Sequence, residues 1–201
     1  SVGLVGSEMC IRDRSKWIHR TPILQSSSIN KIAGAEIYFK CENFQKIGAF
    51  KMRGALNAVM STKKQNLKKG FVTHSSGNHA QAVALSSNIA NTKAYIVMPK
   101  GAPKIKIKAV RGYGAEVTLC ENNEDSRVRT CNKIIKETGA NFIHPFDNDD
   151  VILGQSTCAK EIYEELLDLD YIISPVGGGG LASGTICLLY TTDAADDRYR
   201  G

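Results

Sequence analysis

Short apolar stretches alternate with segments of helical period from Ala35 to Ser174, and this rhythm limits the fold more than any other feature of the chain. Ala35–Cys41, Phe71–Thr73, Ala94–Val97, Glu116–Leu119, Asn141–His144 and Tyr171–Ser174 read as strands, the last as a buried one. Between them Met52, Ala55, Leu56, Val59 and Met60 recur at the spacing of one helix face. Ala80, Val83 and Ala84 suggest a second helix, Val128, Cys131 and Ile135 a third, and Ala159, Ile162, Tyr163 and Leu166 a fourth. A further helix starts near Pro103, a residue suited to a first turn because it has no N–H to leave unpaired. Strand–helix alternation of this kind builds α/β folds, parallel sheets with helices on both faces.

Composition excludes several function classes. With 201 residues, 42% hydrophobic and 23% charged, the chain can bury a core. No run approaches the ~18 apolar residues of a membrane helix, and Ser1–Cys10 lacks the basic and apolar regions of a secretory signal. The net charge of +6 is spread out except at Lys100, Lys104, Lys106, Lys108 and Arg111, where only Tyr113 is close. Without interleaved aromatics that stretch reads as a solvated helix face, so neither nucleic acid nor membrane is expected as a partner. Cys10, Cys41, Cys120, Cys131, Cys158 and Cys187 form no C-x-x-C pair and read as reduced thiols of a cytoplasmic protein. The two ends, Ser1–Arg14 and Cys187–Gly201, carry no clear period and resemble translated sequencing-adapter read-through. Segments 1–14 and 187–201 are therefore expected to be non-native.

Three segments carry chemistry. In Lys40–Ala55, Lys51 stands where the helical pattern begins. There the positive end of the helix dipole disfavours its ammonium form, which suits a reactive amine, and Phe50 offers an apolar wall. In Thr73–Gln81 a strand turns into a helix through Ser75, Ser76, Gly77 and Asn78. The backbone N–H groups of such a turn bind a carboxylate or phosphate, although plain N-capping by Ser or Asn is the simpler account. His79 alone is more often a satisfied structural histidine than an acid or base. In Ser174–Gly184 four consecutive glycines, Gly177, Gly178, Gly179 and Gly180, follow a strand and precede a helix. Their entropic cost is large for a merely structural loop, and a nest of bare N–H groups around a phosphate accounts for it. The run also satisfies a dinucleotide pattern as Gly177-x-Gly179-x-x-Ala182, a match any glycine run produces. A reactive amine together with a phosphate loop fits pyridoxal phosphate, which has an aldehyde for the one and a phosphate for the other.

The three motifs, in this order, resemble the fold-type II pyridoxal-phosphate enzymes of the threonine dehydratase and serine racemase branch. The resemblance runs from about Thr21-Pro22 to Gly184. Phe50–Ala55 (F-K-M-R-G-A) and Ser75–Gln81 (S-S-G-N-H-A-Q) differ from the Lys-Asp-Arg and T-S-G-N-T forms of cysteine synthases. The resemblance implies that Lys51 joins the cofactor aldehyde, Phe50 lies against its ring, Asn78 bonds its phenolic oxygen and Gly177–Gly180 cradle its phosphate. It places Ser75, Ser76, Gly77 and His79 around the substrate carboxylate, with Ser76 matching the second-face base of racemases and Arg127 a substrate-region arginine. It implies two α/β domains with the cofactor in the cleft, 15–69 and 149–186 forming the larger and 70–148 the smaller, inserted one.

Two departures stand out: Gly154-Gln155-Ser156-Thr157 replaces the usual G-Q-G-T, and Asp147 follows His144-Pro145-Phe146 where some racemases have Asn. The family continues past the glycine loop, through the hydroxyl group facing the pyridine nitrogen and the acidic residues of a divalent-cation site, so no metal ligand is assigned here. The expected activity is deamination of L-threonine or L-serine, with Lys51 moving the α-proton, in a homo-oligomer when full length. Serine racemisation is the alternative; an NAD(P) oxidoreductase and a non-catalytic cofactor-binding protein are more distant ones. The 201-residue chain alone is expected to be inactive, with Ile172 and Ile173 short of cover.

Overall fold

A computed structural model describes residues 16–166 and 168–191, so the expectations for 1–14 and 192–201 lie outside the described residues. The alternation read from the sequence resolves into a four-stranded sheet between helices. Its strands are β3 (Phe71–His74), β4 (Ala94–Pro99), β5 (Glu116–Cys120) and β6 (Asn141–Phe142), and they run parallel in the order β5-β4-β3-β6. Successive residues of a strand face opposite ways. Phe71, Ile96 and Met98 enter one apolar core, while Val72 and Val97 enter the other with Cys131 and Ile134. A separate antiparallel pair, β1 (Ile23–Gln25) with β2 (Tyr38–Lys40), precedes the sheet and brackets α1 (Ser27–Ala33).

The helices that follow are α2 (Lys51–Ser61), the short α3 (Lys64–Leu67), α4 (Asn78–Ile89), α5 (Lys104–Gly112), α6 (Glu124–Thr138), α7 (Asp149–Glu165) and α8 (Gly180–Thr191). Asn123 and Asn148 cap α6 and α7 by accepting the amides of Ser126 and Val151. Pro103 is the residue before α5 rather than its first. On α2, Met52, Ala55, Leu56 and Val59 are fully buried as the period requires, whereas Met60 is exposed. Ala55, Ala58 and Val59 share one core with Ala80 and Val83 of α4 and with Val151 of α7. The apolar core is thus continuous across the boundaries drawn at 69/70 and 148/149.

Close helix crossings rest on glycines. A Cβ on Gly54 of α2 would lie 2.6 Å from the Val151 carbonyl, one on Gly154 of α7 2.6 Å from the Arg53 carbonyl, and one on Gly184 of α8 2.6 Å from the Ile152 carbonyl. At such distances only a hydrogen fits. Ser156, the departure from G-Q-G-T, is accommodated at the α7–α8 crossing, its hydroxyl donating to the Leu153 carbonyl at 2.7 Å.

One reading is corrected. Tyr171–Ser174 is not a buried strand: 171–176 has no regular structure, and Tyr171 and Ile173 are 85% and 93% exposed. A strand needs a neighbour to take its backbone hydrogen bonds, and among the described residues none runs beside this segment. Of the two isoleucines expected to lack cover, Ile173 is exposed and Ile172 is half-buried. Helix α8 runs past the boundary set at 186, through Thr191, with Leu188 buried.

Candidate active site

The strand order places the site. From β3 the chain winds outward through β4 and β5, then returns to lay β6 on the other side of β3. The connections after β3 and β6 leave from the carboxyl ends of these neighbours, the edge at which ligands bind in the crevice of an α/β sheet. The Ser75–Gly77 turn follows β3, and residues 143–148 follow β6.

Lys51 comes to this crevice from α2, as its first residue. Its Nζ donates to the Pro145 carbonyl at 2.7 Å and lies 5.3 Å from the Phe50 ring centre. Burial holds the amine below the ordinary lysine range. Phe146, next in the chain after Pro145, reaches the glycine loop. A Cβ on Gly178 would fall 2.1 Å from Phe146 Cδ1, and one on Gly180 3.2 Å from Phe146 Cα. One short turn therefore touches both the amine and the glycines.

The glycine loop leaves open space on its other side. A Cβ on Gly177 or Gly179 would meet nothing within 4 Å, and Gly179 has φ +88°. The Gly179 carbonyl accepts the Ser183 amide at 2.8 Å, so the first amides of α8 have no acceptor within their own helix. A cradle of bare amides beside a half-buried amine of depressed pKa matches the two ends of pyridoxal phosphate, phosphate and aldehyde, and the residues present fit that cofactor.

At the β3 turn the simple capping account fails. Gly77 is the N-cap of α4 and offers no side-chain acceptor. The Ser75 hydroxyl instead accepts the Gly77 amide at 3.2 Å, and Ser76 and Asn78 are exposed. The leading amides of α4 are left for an anion. His79 takes the buried, structural place expected of a lone histidine. Its imidazole is 3% exposed and turned into the protein, with Nε2 3.3 Å from the Ile143 carbonyl. Burial, then the neighbouring Lys51, pushes it down to about 3, so it is neutral. The helical phase sends its ring inward, which leaves only its backbone N–H to face a carboxylate. Arg127 lies on α6, where its Nη2 reaches Asn122 Oδ1 at 3.4 Å and its buried Nε has no partner. Its charge still acts at the end of β3: His74 is held below the ordinary histidine range first by burial, then by His144 and Arg127.

Three groups escaped sequence reasoning. His144 packs edge-on against Phe146, with ring centres 4.5 Å apart, and touches Phe142 and His74. The Pro145–Phe146 turn carries the contacts described above. Arg53, 1% exposed, is held bidentately by Glu42 at 2.7 and 2.8 Å and by Glu161 at 2.7 and 2.8 Å, and Lys40 Nζ joins Glu161 at 2.8 Å. The Lys-x-Arg spacing of Lys51 and Arg53 was the one signal for this cluster; its acidic partners left none.

Comparison with known proteins agrees with this cofactor. A family profile described as "Pyridoxal-phosphate dependent enzyme" matches residues 14–193. The chain is 52% identical over 196 residues to a serine racemase of Dictyostelium discoideum, covering 92% of this chain and 60% of that protein. The crystal structure of the Dictyostelium serine racemase superposes with a TM-score of 0.90. A β-hydroxyaspartate dehydratase of Paracoccus denitrificans is 46% identical over 195 residues, covering 91% of this chain and 62% of that one. The structure of the processed form of a threonine deaminase from Solanum lycopersicum gives a TM-score of 0.85 at 35% identity, covering 92% of this chain and 55% of that one. The chain thus spans about 60% of the length of the Dictyostelium and Paracoccus relatives.

Proposed function

This chain belongs to the pyridoxal-phosphate dependent enzymes, in the branch of threonine dehydratases and serine racemases, and from that premise we propose that its protein deaminates L-threonine and L-serine to 2-oxobutanoate and pyruvate. The observation that carries the reading is Lys51: an amine depressed by burial, set at a helix start and held by the Pro145 carbonyl beside the glycine loop. When bound, the cofactor supplies an aldehyde for amino groups and a ring that accepts the electrons left by a departing proton. Gly177, Gly178, Gly179 and Gly180 would hold its phosphate, Phe50 would wall its ring and Asn78 would bond its phenolic oxygen. Ser75 and the leading amides of α4 orient the substrate carboxylate, with Arg127 at the edge of that region. Lys51 Nζ, neutral more of the time than a surface lysine, takes the α-proton from one face. The β-hydroxyl leaves as water, its added proton balancing the one that Lys51 takes up; the enamine left behind tautomerises to an imine, and water added at its α-carbon releases ammonia and the 2-oxo acid. A cytoplasmic setting goes with this reading. Cys120, Cys131 and Cys158 are buried thiols, the last two pushed up to about 12 by burial.

A second reading, serine racemisation, is favoured by Ser76, whose side chain is exposed at the head of the anion turn, and by the 52% identity to a serine racemase. In that reaction Ser76 exchanges a proton on the face opposite Lys51. Supplying the protein with L-serine and L-threonine and measuring 2-oxo acid, ammonia and D-serine decides between them. Ammonia should exceed D-serine, and Ser76→Ala should suppress D-serine far more than threonine deamination. D-serine accumulating faster than pyruvate would reverse the ranking. Cofactor fixed by borohydride to another lysine would sink both.

A further inference from the structure

The turn after β6 links two parts of the site that come from distant stretches of chain. Its Pro145 carbonyl receives the Lys51 amine at 2.7 Å. Its Phe146 ring presses on Gly178 so closely that no side chain fits there. The turn itself is held from within. His144 Nδ1 accepts the Asp147 amide at 2.8 Å, with the Phe146 amide at 3.4 Å. The imidazole also supports the Phe146 ring edge-on at 4.5 Å. Just before it, the Ile143 carbonyl is fixed by the Thr73 hydroxyl at 2.7 Å and approached by His79 Nε2 at 3.3 Å. The residue between this fixed strand end and the two contacts is His144.

We propose that His144 is a positioning residue: by accepting the turn amides it sets, through Pro145 and Phe146, both the resting place of the Lys51 amine and the approach of the Gly177–Gly180 loop. The inference rests on the cofactor assignment and is independent of whether elimination or racemisation prevails. Without the acceptor, the Asp147 amide turns to water and the turn loosens. The aldehyde end and the phosphate end of the site then weaken together, although His144 touches neither group.

The test separates the two ends with two small probes. Apoprotein is titrated with pyridoxal, which has the aldehyde but no phosphate, and with inorganic phosphate, alongside pyridoxal phosphate itself. His144→Phe keeps a flat ring against Phe146 but removes the acceptor. His144→Asn restores an acceptor oxygen near the Nδ1 position. His144→Phe should weaken both pyridoxal and phosphate, and pyridoxal phosphate by about tenfold, as expected for one lost hydrogen bond at an ordered turn. His144→Asn should bring both probes back to within about twofold of wild type. If His144→Phe does not fold, His144→Gln, whose longer chain carries the acceptor out of register, is read in the same way. Loss at one probe only, no loss at either, or failure of His144→Asn to restore binding would overturn the proposal. Wild-type protein that takes up no pyridoxal phosphate would overturn the cofactor assignment, and the inference with it.

Discussion

Replacing Glu161 by Gln removes one negative charge from a cluster that has little water to compensate. Arg53 and Lys40 are 1% and 6% exposed at their side chains, and Glu42 and Glu161 13% and 14%. Two cations and two anions balance in the native protein. In Glu161→Gln the single carboxylate of Glu42 faces both cations, and Lys40 keeps only the Thr21 carbonyl, at 2.7 Å. Breaking a buried pair by removing one partner costs about 3–5 kcal/mol, and the remaining amide oxygen of Gln puts this case near 3 kcal/mol. Glu164 is the control. It is 38% exposed and pairs with Arg20 and Lys160, so Glu164→Gln should cost under about 1 kcal/mol.

The pH dependence has a definite sign. Burial pushes the Glu161 carboxyl up, but Arg53 and then Lys40 outweigh it and hold it below its ordinary value of 4.5. A carboxylate with a lowered folded pKa contributes stability above its unfolded pKa and loses it as pH falls through the folded one. Urea unfolding followed by circular dichroism should therefore show a large gap between wild type and Glu161→Gln at pH 7. That gap should narrow as pH drops below 4.5. A Glu161→Gln loss no larger than that of Glu164→Gln, or a gap that widens in acid, would refute the reasoning.

Other outcomes follow from individual contacts. Gly178→Ala, whose Cβ would meet Phe146 at 2.1 Å, should weaken cofactor binding at least about tenfold, and a second change, Phe146→Ala, should recover part of it; absorbance titration checks both. Lys51 should be acylated faster at pH 8 than Lys93, which is 68% exposed at its side chain, because its amine is depressed by burial; peptide mapping after brief labelling reads the ratio, and equal rates would contradict it. In the 201-residue chain, Ile173→Lys should leave the unfolding free energy within about 0.5 kcal/mol of the parent and raise solubility, since Ile173 is 93% exposed.

What could be read in the residues depended on how far each interaction reaches along the chain. Strands β3 to β5 and the helices among them follow from alternation within a few residues, and there the expected and observed elements coincide to within a residue or two. Lys51 and Gly177–Gly180 stand out in the sequence because amine chemistry and bare amides belong to residue type, whatever lies nearby. The segment at Tyr171–Ser174 looked like its neighbours in composition, but strandhood is a property of a pair, and no partner lies beside it among the described residues. His79 was in the right motif, but the phase of α4 decides that its ring turns inward. The parts that organise the site are the least legible. Pro145 meets Lys51 across 94 positions and Glu161 meets Arg53 across 108, separations at which no local pattern identifies the partner. Proline and phenylalanine after a strand read as an ordinary turn; only the β5-β4-β3-β6 order, with β6 returned beside β3, makes that turn the wall between the Lys51 amine and the Gly177–Gly180 loop.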